Sequence, residues 1–174
     1  MKGVDAQLID SSPENDPNED LLALNPSGSL PTLVDRDLTL FDADIICEYL
    51  DERYPFPALW PTDPAARARA RLVLKCWISP WHDLLQAGMT GSGKIARQAM
   101  RELAEELLAH VEGFSTSNYF MHAEPTLVDC ALAPLLWTMD SVGELPQHQA
   151  LRKYSRQLFQ SPSFLRSRTI GAIT

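Results

Sequence analysis

The run Val128–Met139, VDCALAPLLWTM, constrains the fold more than any other stretch of this chain. Its apolar residues surround the helix axis instead of forming a stripe, and such a helix is stable only where other elements cover it on all sides. It is also well short of the ~20 apolar residues that a bilayer crossing requires. The rest of the chain must therefore supply covering helices. The run is introduced by Pro125-Thr126-Leu127-Val128-Asp129, in which Thr126 is placed to act as N-cap and Asp129 to answer it from the third helical position. This capping box satisfies amide groups at a helix start that water cannot reach, and losing the cap costs about 0.5–2 kcal/mol.

From Thr62 onward the whole pattern is helical. Thr62 or Asp63 caps a long helix to about Ala87, with apolar positions Leu72, Val73, Cys76 and Trp77 and a kink expected near Pro80. The Gly-rich stretch 88–93 reads as a loop before a helix from Lys94 to about Val111. Arg97, Arg101, Glu102, Glu105 and Glu106 give that helix a solvated face. The apolar helix follows over 126–142, then one from Gln147 to Phe159 and a last short one from Pro162. Trp77, Trp81 and Trp137 fall in apolar patterns, as core residues or at a seam with a second copy.

The first third reads differently. Residues 5–10 alternate polar and apolar, as a short strand does. Asn18 is placed to cap a brief helix carrying Leu21, Leu22 and Leu24, which Asn25-Pro26 ends. Pro31 opens Thr32–Asp35, and Arg36-Asp37 turns the chain into Leu38–Phe41, an antiparallel hairpin. Asp42 caps the next helix. There Ile45, Ile46, Tyr49 and Leu50 form an apolar stripe, while Asp44, Glu48, Asp51 and Glu52 face water. Three prolines make Tyr54–Pro61, YPFPALWP, a connector, so the expected domains are 1–61 and 62–174.

Charge and motif content narrow the function. Fifteen Lys and Arg against 23 Asp and Glu leave a net charge of −8, which disfavours direct nucleic-acid binding by phosphate neutralisation. No signal-peptide core or membrane span is read, and the cytoplasm is the expected compartment. Cys47, Cys76 and Cys130 are far apart and read as reduced core residues. His82, His110, His122 and His148 lack ligand spacing, so neither a metal nor another cofactor is expected. Residues 88–94 match the Gly and Lys spacing of a phosphate-binding loop, but Ile95 replaces the required hydroxyl residue and a helix precedes the loop where a strand is needed.

Three longer runs carry a family resemblance: LNPSGSLPTLVDRDLTL, IICEYLDERYPFP and LVDCALAPLLW. With the capping box they resemble the glutathione transferase superfamily, and within it the stringent starvation protein A branch. The resemblance implies a thioredoxin-like domain followed by an all-helical domain, a homodimer, and binding to RNA polymerase carrying its sigma factor, with no enzymatic activity.

The resemblance also implies site roles. The bond between Leu30 and Pro31 is expected to be cis, beside the backbone that in transferases holds the glutathione cysteinyl group. An acidic residue followed by Ser receives the glutamyl carboxylate there. This chain has Asp42 followed by Ala43, and a missing hydrogen bond to a charged group, worth roughly 1.5–3 kcal/mol, weakens glutathione about ten- to a hundredfold. Leu30, Pro31, Asp42 and Ala43 are thus read as a vestigial site. The strand–helix unit that carries the transferase nucleophile has no counterpart here, so the thioredoxin-like domain is expected to be incomplete, with Met1 an internal methionine taken as the start. Pro55-Phe56-Pro57 stands where the branch has a Pro-His-Pro segment used in transcription activation, and is read as the partner-binding surface; the other reading is a linker whose aromatics pack between domains. A glutathione-dependent transferase or isomerase is the alternative activity, and a dimerisation scaffold a third.

Overall fold

The computed structural model describes residues 2–4, 6–9 and 19–171, with side chains through Arg168. The chain divides into two compact units after Ala58, and Leu59 and Trp60 are buried in the core of the helical unit.

In the first unit, α1 (Glu19–Leu24) leads to a two-stranded antiparallel sheet of β1 (Leu33–Asp35) and β2 (Leu38–Leu40), with Leu33 opposite Leu40 and Asp35 opposite Leu38. The turn places Arg36 at φ 57°, in the left-handed region. Buried Asn25 organises the approach to the sheet. Its amide donates to Ser29 O at 2.9 Å and Thr32 Oγ1 at 3.0 Å, while its oxygen accepts from the Ser27 amide at 3.0 Å. Helix α2 (Ala43–Arg53) is capped by Asp42, whose carboxyl accepts from the amides of Asp44 and Ile45. The helix is tied to the hairpin where the Tyr49 hydroxyl donates to Asp35 Oδ2 at 2.6 Å.

Several expectations for this unit are corrected. Residues 6–9 have no regular structure and the sheet has only two strands, so no strand forms in the described part of 5–10. Asp5, Asp10 and the expected Asn18 cap lie outside the described residues. Ile45 is exposed, leaving Ile46 as the buried apolar residue of α2. Asp51, expected in water, is buried against Lys2. Cys47 is exposed, not core.

The second unit is built around α6 (Leu127–Ser141), within which Leu132, Leu135, Leu136 and Met139 are fully buried. Helix α6 packs against α4 (Ser79–Thr90) and α7 (Gln149–Phe159), and α8 (Pro162–Gly171) reaches its Trp137; α3 (Pro64–Val73) and α5 (Gly93–Ala109), the latter packed on α4, complete the unit. Coverage is not complete, since Pro134 and Ser141 are exposed and Trp137 and Thr138 half-buried. Pro134 is tolerated inside the helix on this open side.

The expected kink at Pro80 is instead a π-helical turn over Leu74–Ile78, immediately before it. In α register the Pro80 ring meets the Cys76 carbonyl, and proline has no N–H to offer it. The chain widens its register, and the Ser79 N–H donates to Leu74 O, five residues back. The turn also shifts the buried face. Val73 and Ile78, roughly 140° apart on a regular α-helix, are both buried, while Leu72 and Cys76, expected in the apolar stripe, are exposed. Cys130 is half-buried.

Nor does residues 88–93 form a long loop. Helix α4 runs to Thr90 and only Gly91 and Ser92 separate it from α5. Gly88 lies in α4 where a Cβ would strike the Met100 side chain, so its glycine serves close packing of α4 on α5. Helix α5 ends at Ala109 and a 3-10 turn, Val111–Phe114, follows. Trp81 is fully buried and Trp77 half-buried, both against the His110 ring, at centroid distances of 5.3 and 4.3 Å.

Candidate functional site

The segment after α2 is the most outward-facing aromatic site in the molecule. Helix α2 closes with the Tyr54 N–H donating to Leu50 O at 3.1 Å, and Pro55 forbids another turn. Phe56 then stands 85% exposed between two prolines, with a cis bond to Pro57. Of the aromatics in the YPFPALWP connector, Trp60 enters the helical core, where the Arg71 guanidinium lies 5.3 Å from its ring. Phe56 enters neither core.

A cluster invisible in the sequence pattern holds this segment. Lys2 pairs with Asp51 and donates from Nζ to Tyr54 O at 2.6 Å and Pro57 O at 2.5 Å. Both side chains of the pair are 9% exposed. Lys2 and Asp51 are far apart in sequence and Asp51 sits among other acids on its helix, so only the folded chain brings them together. Glu52 and Arg53 beside them are exposed, Arg53 lying 5.7 Å from the Tyr54 ring centroid.

The residues read as a vestigial glutathione site are found in the same unit. The Leu30–Pro31 bond is cis, and both residues are exposed. Asp42 Oδ1 accepts from the Asp44 amide at 3.0 Å and the Ile45 amide at 3.1 Å, so that oxygen is committed to the cap of α2. Ala43 begins that helix and contributes no hydroxyl. Cys47, one turn further on, is a poor nucleophile. Partial burial of its thiol, and then the Asp44 carboxylate, push its pKa up, away from the thiolate form.

Thr126 and Asp129 have a structural role in the other unit. Asp129, fully buried, accepts from the Thr126 amide at 2.7 Å, the Thr126 hydroxyl at 3.0 Å, the Phe120 amide at 2.8 Å and the Tyr154 hydroxyl at 2.6 Å. Thr126 Oγ1 accepts from the Val128 amide at 3.2 Å. The capping box thereby joins α6 to α7 and to the 119–122 turn. Burial, followed by the Asp129 charge, raises the Tyr154 pKa well above the usual tyrosine range.

Three of the four histidines make structural contacts. His82 Nε2 lies 3.0 Å from Ala131 O, His148 caps α7, and His110 Nδ1 lies 2.9 Å from Glu106 O. Lys94, from the nominal phosphate loop, sits in the first turn of α5, with Gly88 inside α4, so the loop needed to cradle a phosphate does not form. Among the described residues no helix is long and apolar enough to cross a membrane.

Comparison with known proteins agrees with this architecture. The glutathione S-transferase N-terminal domain family matches residues 1–53. A stringent starvation protein A homolog of Histophilus somni is 44% identical over 160 residues, covering 90% of this chain and 74% of that protein. Another from Pasteurella multocida is 42% identical over 172 residues, covering 97% and 77%. Among solved structures, glutathione transferase F2 from Populus trichocarpa superposes with a TM-score of 0.83 at 18% identity, covering 99% of this chain and 90% of that one, a likeness of fold.

Proposed function

This chain belongs to the stringent starvation protein A family, and from that membership we propose that it regulates transcription under starvation or stress by binding RNA polymerase holoenzyme through the sigma factor. In this reading it acts in the cytoplasm as a homodimer, contacts no nucleic acid directly, and carries out no glutathione chemistry. The contact surface is Pro55-Phe56-Pro57.

The observation that carries the reading is the placement of Phe56, 85% exposed on a segment bracketed by prolines and gripped from below by Lys2. An aromatic side chain held in a fixed backbone loses little conformational freedom on docking, and such anchors dominate interface energies. Where the family resemblance implies a histidine, Phe56 offers no proton or hydrogen bond, so the contact is apolar and independent of protonation. The net charge of −8 favours approach to a basic partner face.

The test is co-purification of polymerase with the Phe56→Ala, Pro55→Ala, Pro57→Ala triple variant. Capture is expected to be lost while the far-ultraviolet circular dichroism spectrum stays unchanged; undiminished capture refutes the site. A second reading, a glutathione-dependent transferase or isomerase, is favoured by the match of residues 1–53 to the glutathione S-transferase N-terminal domain family. Calorimetric titration separates the two: millimolar or absent glutathione binding fits the regulator, and micromolar binding fits the enzyme.

A further inference from the structure

An ammonium group has three donors, and those of Lys2 meet three acceptors that converge on one point: Asp51 Oδ1 on α2, and the carbonyls of Tyr54 and Pro57. The two carbonyls flank Pro55 and Phe56. One side chain therefore ties both ends of the exposed segment together and to the last turns of α2, and it does so while 9% exposed, where water competes poorly for the same groups. Neither proline has an amide that might hold the segment by backbone hydrogen bonds. The clamp supplies from the side what the backbone lacks.

We infer that Lys2 is the positioning residue of the recognition surface, its ammonium holding Tyr54 O and Pro57 O so that Phe56 is presented in one arrangement. This inference rests on the proposed role of Pro55–Pro57 for its functional consequence, but its physical content is measurable without any partner. The Phe56 amide lies between two prolines and is the single backbone N–H of that triplet, so its nuclear magnetic relaxation reports on the segment alone.

Two measurements test the clamp. In the wild-type chain, reductive methylation with formaldehyde is expected to label Lys2 about tenfold or more slowly than the exposed Lys75, Lys94 and Lys153. Labelling at the rate of Lys94 overturns the inference, whatever any variant does. In Lys2→Met, which keeps the apolar stem and removes the donors, the Phe56 order parameter is expected to fall from about 0.85 to below about 0.6 while the amide shifts of 33–40 are retained. An unchanged order parameter overturns the clamp. Polymerase capture by Lys2→Met is expected to drop about tenfold, equivalent to 1.4 kcal/mol; full capture with a mobile Phe56 overturns the positioning role. Should Phe56→Ala itself capture polymerase normally, the proposed site fails, while labelling and relaxation still decide the clamp.

Discussion

Asp129→Ala is expected to be the most destabilising single change at the start of the central helix. The carboxyl group accepts four hydrogen bonds with no access to water, and alanine leaves the Thr126 amide, the Phe120 amide and the Tyr154 hydroxyl without their acceptor. A buried donor left unsatisfied costs about 1–3 kcal/mol, so three of them, partly relieved by relaxation, amount to about 3–5 kcal/mol. That is a large part of the 5–15 kcal/mol typical of a whole domain. The expected fall in Tm is about 6–20 °C, from 2–4 °C per kcal/mol at this chain length. Urea unfolding followed by circular dichroism measures it, with the m-value held constant as the check on a two-state comparison. A double-mutant cycle with Tyr154→Phe isolates the Asp129–Tyr154 bond, where a coupling of about 0.5–3 kcal/mol is expected. A loss below about 1 kcal/mol for Asp129→Ala refutes the claim that this network holds α6 in place.

Tyr154 also fixes an alkaline limit. Its pKa is raised in the folded state by burial and by Asp129, so its contribution is complete below the unfolded value near 10 and is lost as pH rises from there toward the folded value. Relative to Tyr154→Phe, wild-type stability is expected to fall by about 1.4 kcal/mol per pH unit above pH 10; parallel curves refute the assignment. Gly113→Ala places a methyl group 2.5 Å from Phe120 Cε2, in a ring that is itself buried and packed on Phe114, and is expected to cost about 1–3 kcal/mol by urea titration. Thr126→Ala removes one acceptor of the capping box and is expected to cost about 0.5–2 kcal/mol in the same assay, clearly less than Asp129→Ala.

Features carried by neighbouring residues were legible in the sequence. The Thr126–Asp129 box, the Asp42 cap and the Leu33–Leu40 hairpin each follow from residue types a few positions apart, and each is present. What escaped depends on partners distant in sequence. Asp51 reads as one of several acids on a solvated face, whereas in the fold it is buried and paired with Lys2, at the other end of the unit. The exposed Ile45 and Cys47 show the same limit: helical periodicity marks an apolar side of α2 without saying what lies against it. At Cys76 the periodicity itself misleads, because a change of helical register rotates the true buried side away from the one counted at 3.6 residues per turn.

That widened turn bears on how the chain tolerates change in length. A π-helical turn is an α-helix that has taken in one residue too many, with the surplus confined to Leu74–Ile78 and the flanking helices left regular. Removing one residue there, with Pro80 replaced by a residue that has an N–H, lets the ladder close at its ordinary spacing, whereas the same deletion in α3 or α4 turns every later side chain by about 100°. The joint therefore acts as slack in the helical unit: a place where chains of this architecture can differ by a residue and still bring Trp81 and Leu85 to the same core.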